Sequence, residues 1–167
     1  MDFLGLVKNR YSVRGYKSTP VEKEKLEEIL EAVRLAPTGS NQQAFQLVVV
    51  HTKGREEELR AIYDKDWFVQ APIIICACGT MTNGNTFDEF RSYRNIGIVM
   101  DHFVLAATNL GLGTCWIGAF NPDAARDILG LPLGVKPIVC ATLGYADDKG
   151  RPKVRKSIDE LVRYEHW

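Results

Sequence analysis

Residues 73–78 read Ile-Ile-Ile-Cys-Ala-Cys, with no polar side chain among them. The apolar run they belong to, Ala71 to Gly79, is far too short to cross a bilayer, which takes about 20 apolar residues. Its β-branched content and length suit a strand buried on both faces. A strand with no wet face needs a layer of structure on each side, and this excludes any fold in which the sheet is half exposed. Three more apolar stretches read as strands: Gln46–His51, Thr114–Ile117 and Ile138–Leu143.

Helical patterns fill the intervals. Residues Phe3–Lys8 form a short helix capped by Asp2. Thr19-Pro20-Val21-Glu22 has the form of a capping box with proline at the first helical position. Behind it Leu26, Ile29, Leu30 and Val33 keep amphipathic spacing, and that helix stops near Ala36-Pro37. A charged helix is expected over Arg55–Tyr63, and a Gly/Asn/Thr loop over Thr80–Thr86. Ile96, Val99, Met100, Phe103, Val104 and Ala107 mark the longest helix, with Gly111 as its stop. That helix has few charges between Ile96 and Leu110, which predicts burial of more than one face, as against a second subunit. Asn121-Pro122 opens a short helix ending near Gly130, and Ser157-Ile158-Asp159-Glu160 is a capping box before a terminal helix. Strands alternating with helices give an α/β or α+β layer fold, with strand order left open.

The chain's 167 residues suit one domain, 1–167, and no repeat or low-complexity stretch divides it. Lys plus Arg number 21 and Asp plus Glu number 21, a zero balance that argues against nucleic acid or a membrane surface as a partner. Any phosphate must therefore be held by local donors. Cys76, Cys78, Cys115 and Cys140 lie in apolar runs, with no Cys-x-x-Cys, and read as reduced core thiols of a cytoplasmic protein. Met1-Asp2 opens an ordinary helix, with no leader pattern visible. His51, His102 and His166 fit no metal spacing, and no Ser-His-Asp set or phosphate-loop motif stands out, so no metal is expected.

Four segments could carry chemistry. In an extended Arg10-Tyr11-Ser12-Val13-Arg14, the side chains of Arg10, Ser12 and Arg14 share one face, a donor set suited to a phosphate or an enolate-like oxygen. A solvated basic turn after a helix C-terminus has the same pattern. Lys153-Val154-Arg155 repeats the spacing near the other end, so one anion could be clamped from both ends of the chain. An exposed charged connector would look alike. Pro37-Thr38-Gly39-Ser40-Asn41-Gln42-Gln43 offers the hydroxyls and amides that a polyol chain or uracil-like edge needs, or it is a plain helix-to-strand turn. Gly111-Leu112-Gly113-Thr114-Cys115-Trp116-Ile117-Gly118 lacks the third glycine and the strand-to-helix context of a dinucleotide fingerprint. It reads instead as a tight helix stop followed by a strand whose end lets backbone approach a flat ligand.

In this order the four segments resemble the nitroreductase family of FMN-dependent oxidoreductases, and they span nearly the whole chain. The resemblance implies an α+β sandwich, with a central mixed sheet flanked by helices, forming an intertwined homodimer with two FMN sites at the interface. It assigns Arg10 and Ser12 to the phosphate and ribityl end, with Lys153 and Arg155 closing on the phosphate. Arg14 falls beside the flavin pyrimidine. Pro37, Thr38, Ser40, Asn41 and Gln43 reach the flavin from the partner subunit. The backbone around Ile117 and Gly118 faces the ring near N5, and Tyr11 and Trp116 complete the cofactor contacts. Two departures stand out. Thr38-Gly39 and Ala44-Phe45 occupy places where the family often has Ser-Ser and Pro-Trp, so a hydroxyl contact at Gly39 is lost. Only Thr80 to about Arg94 fill the place of a longer helical insertion that roofs the pocket in many members.

The implied activity is hydride transfer from NAD(P)H through flavin N5 to a small acceptor such as a nitroaromatic or quinone. No protein nucleophile is required, so no catalytic side chain is assigned, with Arg14 as the tuning residue. Reductive dehalogenation, flavin breakdown, or an FMN-binding redox module without turnover are the alternatives.

Overall fold

The all-apolar strand lies inside a four-stranded sheet. The computed structural model describes residues 2–81 and 87–167. Strands β1 (Phe45–His51), β2 (Ile73–Gly79), β3 (Gly113–Ile117) and β4 (Lys136–Gly144) are ordered β1-β2-β4-β3. All three pairings are antiparallel, and the parallel element is an isolated bridge between Ser12 and Thr114.

All seven residues of β2 are buried, and the strand's alternation divides them between two layers. Ile73, Ile75 and Ala77 face helices α2 (Lys23–Arg34) and α5 (Glu89–Asn109), where Ile29, Val33, Ile96, Met100 and Phe103 complete one core. Ile74, Cys76 and Cys78 face the other way, onto Leu59, Ile62, Phe68 and Ala125. That second layer is built by α3 (Glu56–Leu59), α4 (Asp66–Gln70) and α6 (Pro122–Leu129). Each large aliphatic side chain buried in these layers contributes about 1.5–3 kcal/mol. All four cysteines are free and buried, as their apolar surroundings indicate. A hydrogen bond with Cys140, together with burial, holds the Cys76 thiol well above its ordinary range.

Helix α1 (Phe3–Asn9) is capped by Asp2, whose Oδ1 accepts from Gly5 N at 2.6 Å. Asn121 Oδ1 caps α6, and Gly130 closes it at φ 64°. Ser157 and Glu160 form the reciprocal box that opens α7 (Ile158–Leu161). Helix α5 starts earlier than its apolar period indicates, because Asp88 accepts from Arg91 N at 2.9 Å and caps a start two turns before Ile96, in a mostly polar segment. Among the described residues, no helix is long and apolar enough to cross a membrane.

Two expectations need correction. Thr19–Glu22 makes no capping box: α2 begins at Lys23, with Glu22 as an N-cap lacking a side-chain bond. The Glu22 carboxylate instead accepts from Tyr145 Oη at 2.7 and 2.8 Å and meets Lys25 Nζ at 3.4 Å. The charged helix over Arg55–Tyr63 stops at Leu59, and α4 follows as a separate short helix. The Ile62 carbonyl accepts from Asn121 N at 2.9 Å, outside the helical ladder, and Arg60 bridges Asp64 and Asp66 across the connector. Of the loop expected over Thr80–Thr86, residues 82–86 lie outside the described residues.

The free edge of β3 is covered by an extended strap, residues 10–17. Val13 N donates to Thr114 O at 2.9 Å, Lys17 N to Tyr145 O at 2.9 Å, and Asp147 N to Gly15 O at 2.8 Å. Val13 is 1% exposed and fills the space over Gly113, where a Cβ would lie 2.5 Å from Val13 Cγ2. Gly113→Ala therefore forces the strap off the sheet, with an expected cost of about 1–3 kcal/mol from overpacking. A urea midpoint unchanged from the parent would show that the strap is not held by this contact.

Candidate functional site

The strap converts its sequence spacing into a directed donor set. Val13 points inward, and its neighbours on either side, Ser12 and Arg14, fall on the opposite face together with Arg10. Burial pushes the Cys115 thiol up, while Arg14, a hydrogen bond with Ser12, and Arg10 pull it down. Arg14 lines one cleft with Cys115 and Arg10 lines another with Val13 and Gly113, so the strap presents both arginines along β3.

The other end of the chain joins them. Lys153 Nζ donates to the carbonyls of Val7 and Lys8, in the last turn of α1, where a cation is favoured. Partial loss of hydration and then repulsion from Arg10 and Arg155 hold the exposed Lys153 amine below the ordinary lysine range. Among the described residues, none of the ion pairs includes Arg10, Arg14, Lys153 or Arg155. Arg155 Nη1 donates to Val154 O at 2.7 Å, and Arg14 Nη1 lies 3.4 Å from Ser12 O. The Asp148 carboxylate accepts from the Arg14 backbone N–H, but these guanidinium and ammonium groups make no ion pair among the described residues, and an anion would stabilise them.

Arg14 also borders a second, ring-sized environment. With Cys115, Trp116, Ile117 and Gly118 it lines a cleft of about 160 Å³, and its guanidinium lies 5.9 Å from the Trp67 ring centre. Trp116 is 39% exposed, unusually open for a strand residue between buried neighbours. Tyr11 lies apart from this cleft: its hydroxyl donates to Asp148 O at 3.1 Å, and its ring packs against Gly150.

The third expected segment sits elsewhere. Residues Gly39–Asn41 form a 3-10 turn in which Ser40 and Asn41, and then Gln43, take φ values of 53, 52 and 50°. Left-handed backbone costs a non-glycine residue roughly 1–2 kcal/mol. Local bonds hold it: Thr38 Oγ1 accepts from Gln43 N at 3.0 Å, Asn95 Oδ1 from Gly39 N at 3.0 Å, and Asn41 O from Gln43 Nε2 at 2.9 Å. Pro37, Ser40, Asn41 and Gln43 are exposed and Thr38 is half-buried. This turn rests on Asn95 near the start of α5, whereas Arg10 and Tyr11 border Thr108 and Gly111 at its end. At 1.5 Å per residue that separation is about 20 Å along the helix. The turn also leads into β1, at the sheet edge opposite β3. Within one chain the two segments do not meet.

Sequence reasoning missed Asp148. Its Oδ2 accepts from Arg14 N at 2.7 Å and its carbonyl from Tyr11 Oη, so it clips the strap from 134 residues away. Its Oδ1 is buried without a partner. Nothing in the Asp147-Asp148 turn signals this, because the contact is purely tertiary. Cys115, buried in the core as its apolar surroundings indicate, also borders the cleft that Arg14 lines. A far larger groove, of about 1220 Å³ between the strap, the end of β1 and α4, contains none of the expected site residues. Among the described residues, no group of His, Cys, Asp or Glu is arranged to hold a metal ion.

Comparison with known proteins bears on this geometry. A family model described as "Putative TM nitroreductase" matches residues 2–167. A Bacillus subtilis (strain 168) protein named an NAD(P)H FMN reductase is 28% identical over 163 residues, covering 86% of this chain and 66% of that protein. An Archaeoglobus fulgidus protein named "Putative NADH dehydrogenase/NAD(P)H nitroreductase" is 28% identical over 156 residues, covering 87% and 86% of the two chains. The solved structure of a nitroreductase family protein from Clostridium difficile 630 superposes with a TM-score of 0.85 at 35% identity, covering 100% of both chains. With this match along the whole chain, the protein belongs to the nitroreductase family.

Proposed function

We propose that the chain is a cytoplasmic, homodimeric flavoenzyme, a single domain that holds FMN and uses NAD(P)H to reduce a small acceptor such as a nitroaromatic or quinone. The observation that carries this reading is Lys153 seated on the carbonyl end of α1, the helix that Arg10 follows, with Arg10, Lys153 and Arg155 in no ion pair among the described residues. A phosphate monoester matches that donor set in charge and size. The names of the B. subtilis and A. fulgidus relatives support the same cofactor and reductant.

FMN fits the residues present: cations for its phosphate, the cleft beside Trp116 for its ring, and the polar turn at Thr38–Gln43 for its remaining edge. When bound, it supplies hydride acceptance from NAD(P)H and delivery to the acceptor. The protein's part is to hold, orient and tune. Arg10, Ser12, Lys153 and Arg155 anchor the phosphate. Arg14, at the edge of the cleft, would favour the more negative, reduced state of the ring. Tyr11 and Asp148 keep the strap in register. Trp116, Ile117 and Gly118, which line the same cleft as Arg14, would contact the ring. Pro37, Thr38, Ser40, Asn41 and Gln43 complete the site from a second copy.

The dimer is supported by what one chain leaves unfinished. The two segments that the site requires lie at opposite ends of α5. Residues 151–167 are exposed throughout, although Ile158, Leu161, Tyr164 and Trp167 are large and apolar, and Phe3, Leu4 and Val7 of α1 are likewise uncovered. Apolar surface on this scale is a mark of an interface.

Arg10→Ala and Arg155→Ala are each expected to weaken FMN binding roughly ten- to a hundredfold, the value of one charged contact. Equilibrium dialysis measures this, and parental retention by both variants would remove the phosphate assignment. Arg14→Ala is expected to lower the midpoint potential of the bound flavin by roughly 30–60 mV, more than it weakens binding. An unchanged potential in a spectroelectrochemical titration would take Arg14 out of its tuning role.

A further inference from the structure

The lost hydroxyl at position 39 leaves a space with a specific neighbour. A Cβ on Gly39 would lie 3.4 Å from Arg94 Nη2 and 3.6 Å from Asn95 Oδ1. The Arg94 guanidinium therefore stands where a side chain at 39 would project. Its Cζ is 6.0 Å from the ring centre of Phe90, one turn earlier on α5. Among the described residues Arg94 makes no ion pair.

Its neighbours differ in this respect. Arg91 is tied to Asp88 at 3.4 Å and to Gln42 Oε1 at 2.6 Å, and Tyr93 donates to Glu89 at 3.2 Å. Asn95, 1% exposed, spends its Oδ1 on Gly39 N and leaves Nδ2 buried without a partner. Beside this turn stand a guanidinium that makes no ion pair among the described residues and a buried amide group without a hydrogen-bond partner. Phe90 is 78% exposed, an open aromatic face under the cation. A flat ring that bears an anionic oxygen group matches both features: the ring packs on Phe90 and the anion takes the guanidinium fork.

We infer that Arg94, seated on Phe90 and beside Gly39, is a specificity-determining residue that binds an anionic group of the molecule exchanging electrons with the flavin. This rests on the flavin-site reading of the Thr38–Gln43 turn. Two sources offer the anion: a carboxylate on an aromatic acceptor, or a phosphate on the nicotinamide donor. Arginine is needed rather than lysine, because a planar guanidinium offers an anion a two-pronged fork that an ammonium lacks.

The test uses the FMN-loaded protein and the variants Arg94→Ala and Arg94→Lys, both at an exposed position that leaves the core untouched. Equilibrium binding of 4-nitrobenzoate and of its neutral isostere 4-nitrobenzamide is measured by calorimetry, and KM and kcat are determined for both acceptors and for NADPH and NADH. Arg94→Ala is expected to weaken 4-nitrobenzoate, or NADPH relative to NADH, by ten- to a hundredfold, chiefly in Kd and KM, with Arg94→Lys restoring only part. 4-Nitrobenzamide binding and flavin content remain at parental values. The acceptor arm moving identifies a carboxylate, and the donor arm a phosphate. Equal changes in the charged and neutral ligands, no change in any, or loss of flavin from Arg94→Ala would each overturn the inference. A parent protein that binds no flavin would instead overturn the reading beneath it.

Discussion

Burial of β2 on both faces organises the rest of the molecule. Because Ile73–Gly79 has no polar residue and no wet side, helices must cover the sheet above and below, and the layer containing α5 must be long enough to span it. A closed two-sided core of this kind has no room for charge. The groups able to bind a ligand are displaced to the margins of the sheet: the strap over the β3 edge, and the turn that leads into β1. The antiparallel order β1-β2-β4-β3 sets these margins on opposite sides.

At the β3 margin the electrostatics are unbalanced by design of the chain path. Lys153 is drawn to the carbonyl end of α1, and this puts it beside Arg10 and Arg155. Solvent and salt screen exposed like charges, so the cluster costs little when empty, yet a dianion entering it meets several donors already in place. At the β1 margin the same preorganisation takes the form of backbone conformation. Ser40, Asn41 and Gln43 are held left-handed by Thr38 and Asn95, and their side chains are turned outward as a consequence. Strain of this sort persists where the surrounding structure over-determines it, and commonly at ligand sites.

The layers were legible from the sequence because periodicity is a local property. The uniform run at Ile73–Cys78 foretold burial on both faces, and the spacing of Ile96 to Ala107 foretold the long helix. Failures came where a side chain had a better distant partner than a local one. Glu22 belongs to Tyr145, 123 residues away, and so does not cap its own helix. Ile62 gives its carbonyl to Asn121, and the charged helix ends early. In the site, alternation alone put Arg10, Ser12 and Arg14 on one face, but Asp148 and Arg94 carry no local pattern. Their roles follow only from the fold that brings them to Arg14 N and to Gly39. The separation of the two site segments was equally invisible to spacing, since it depends on strand order.

The central claim is that a complete flavin site takes the strap of one copy and the Thr38–Gln43 turn of another. Complementation between two defective chains tests it most directly. An Arg10→Ala chain and a Ser40→Ala/Asn41→Ala chain, carrying different tags, are co-expressed, and the mixed dimer is isolated through both tags. Each homodimer has two damaged sites, whereas the mixed dimer combines both lesions in one site and leaves the other intact. The expected result is one tightly held FMN per mixed dimer, with both homodimers depleted. A mixed dimer as depleted as its parents, or protein that keeps full flavin content as a monomer, would contradict a site built from two copies.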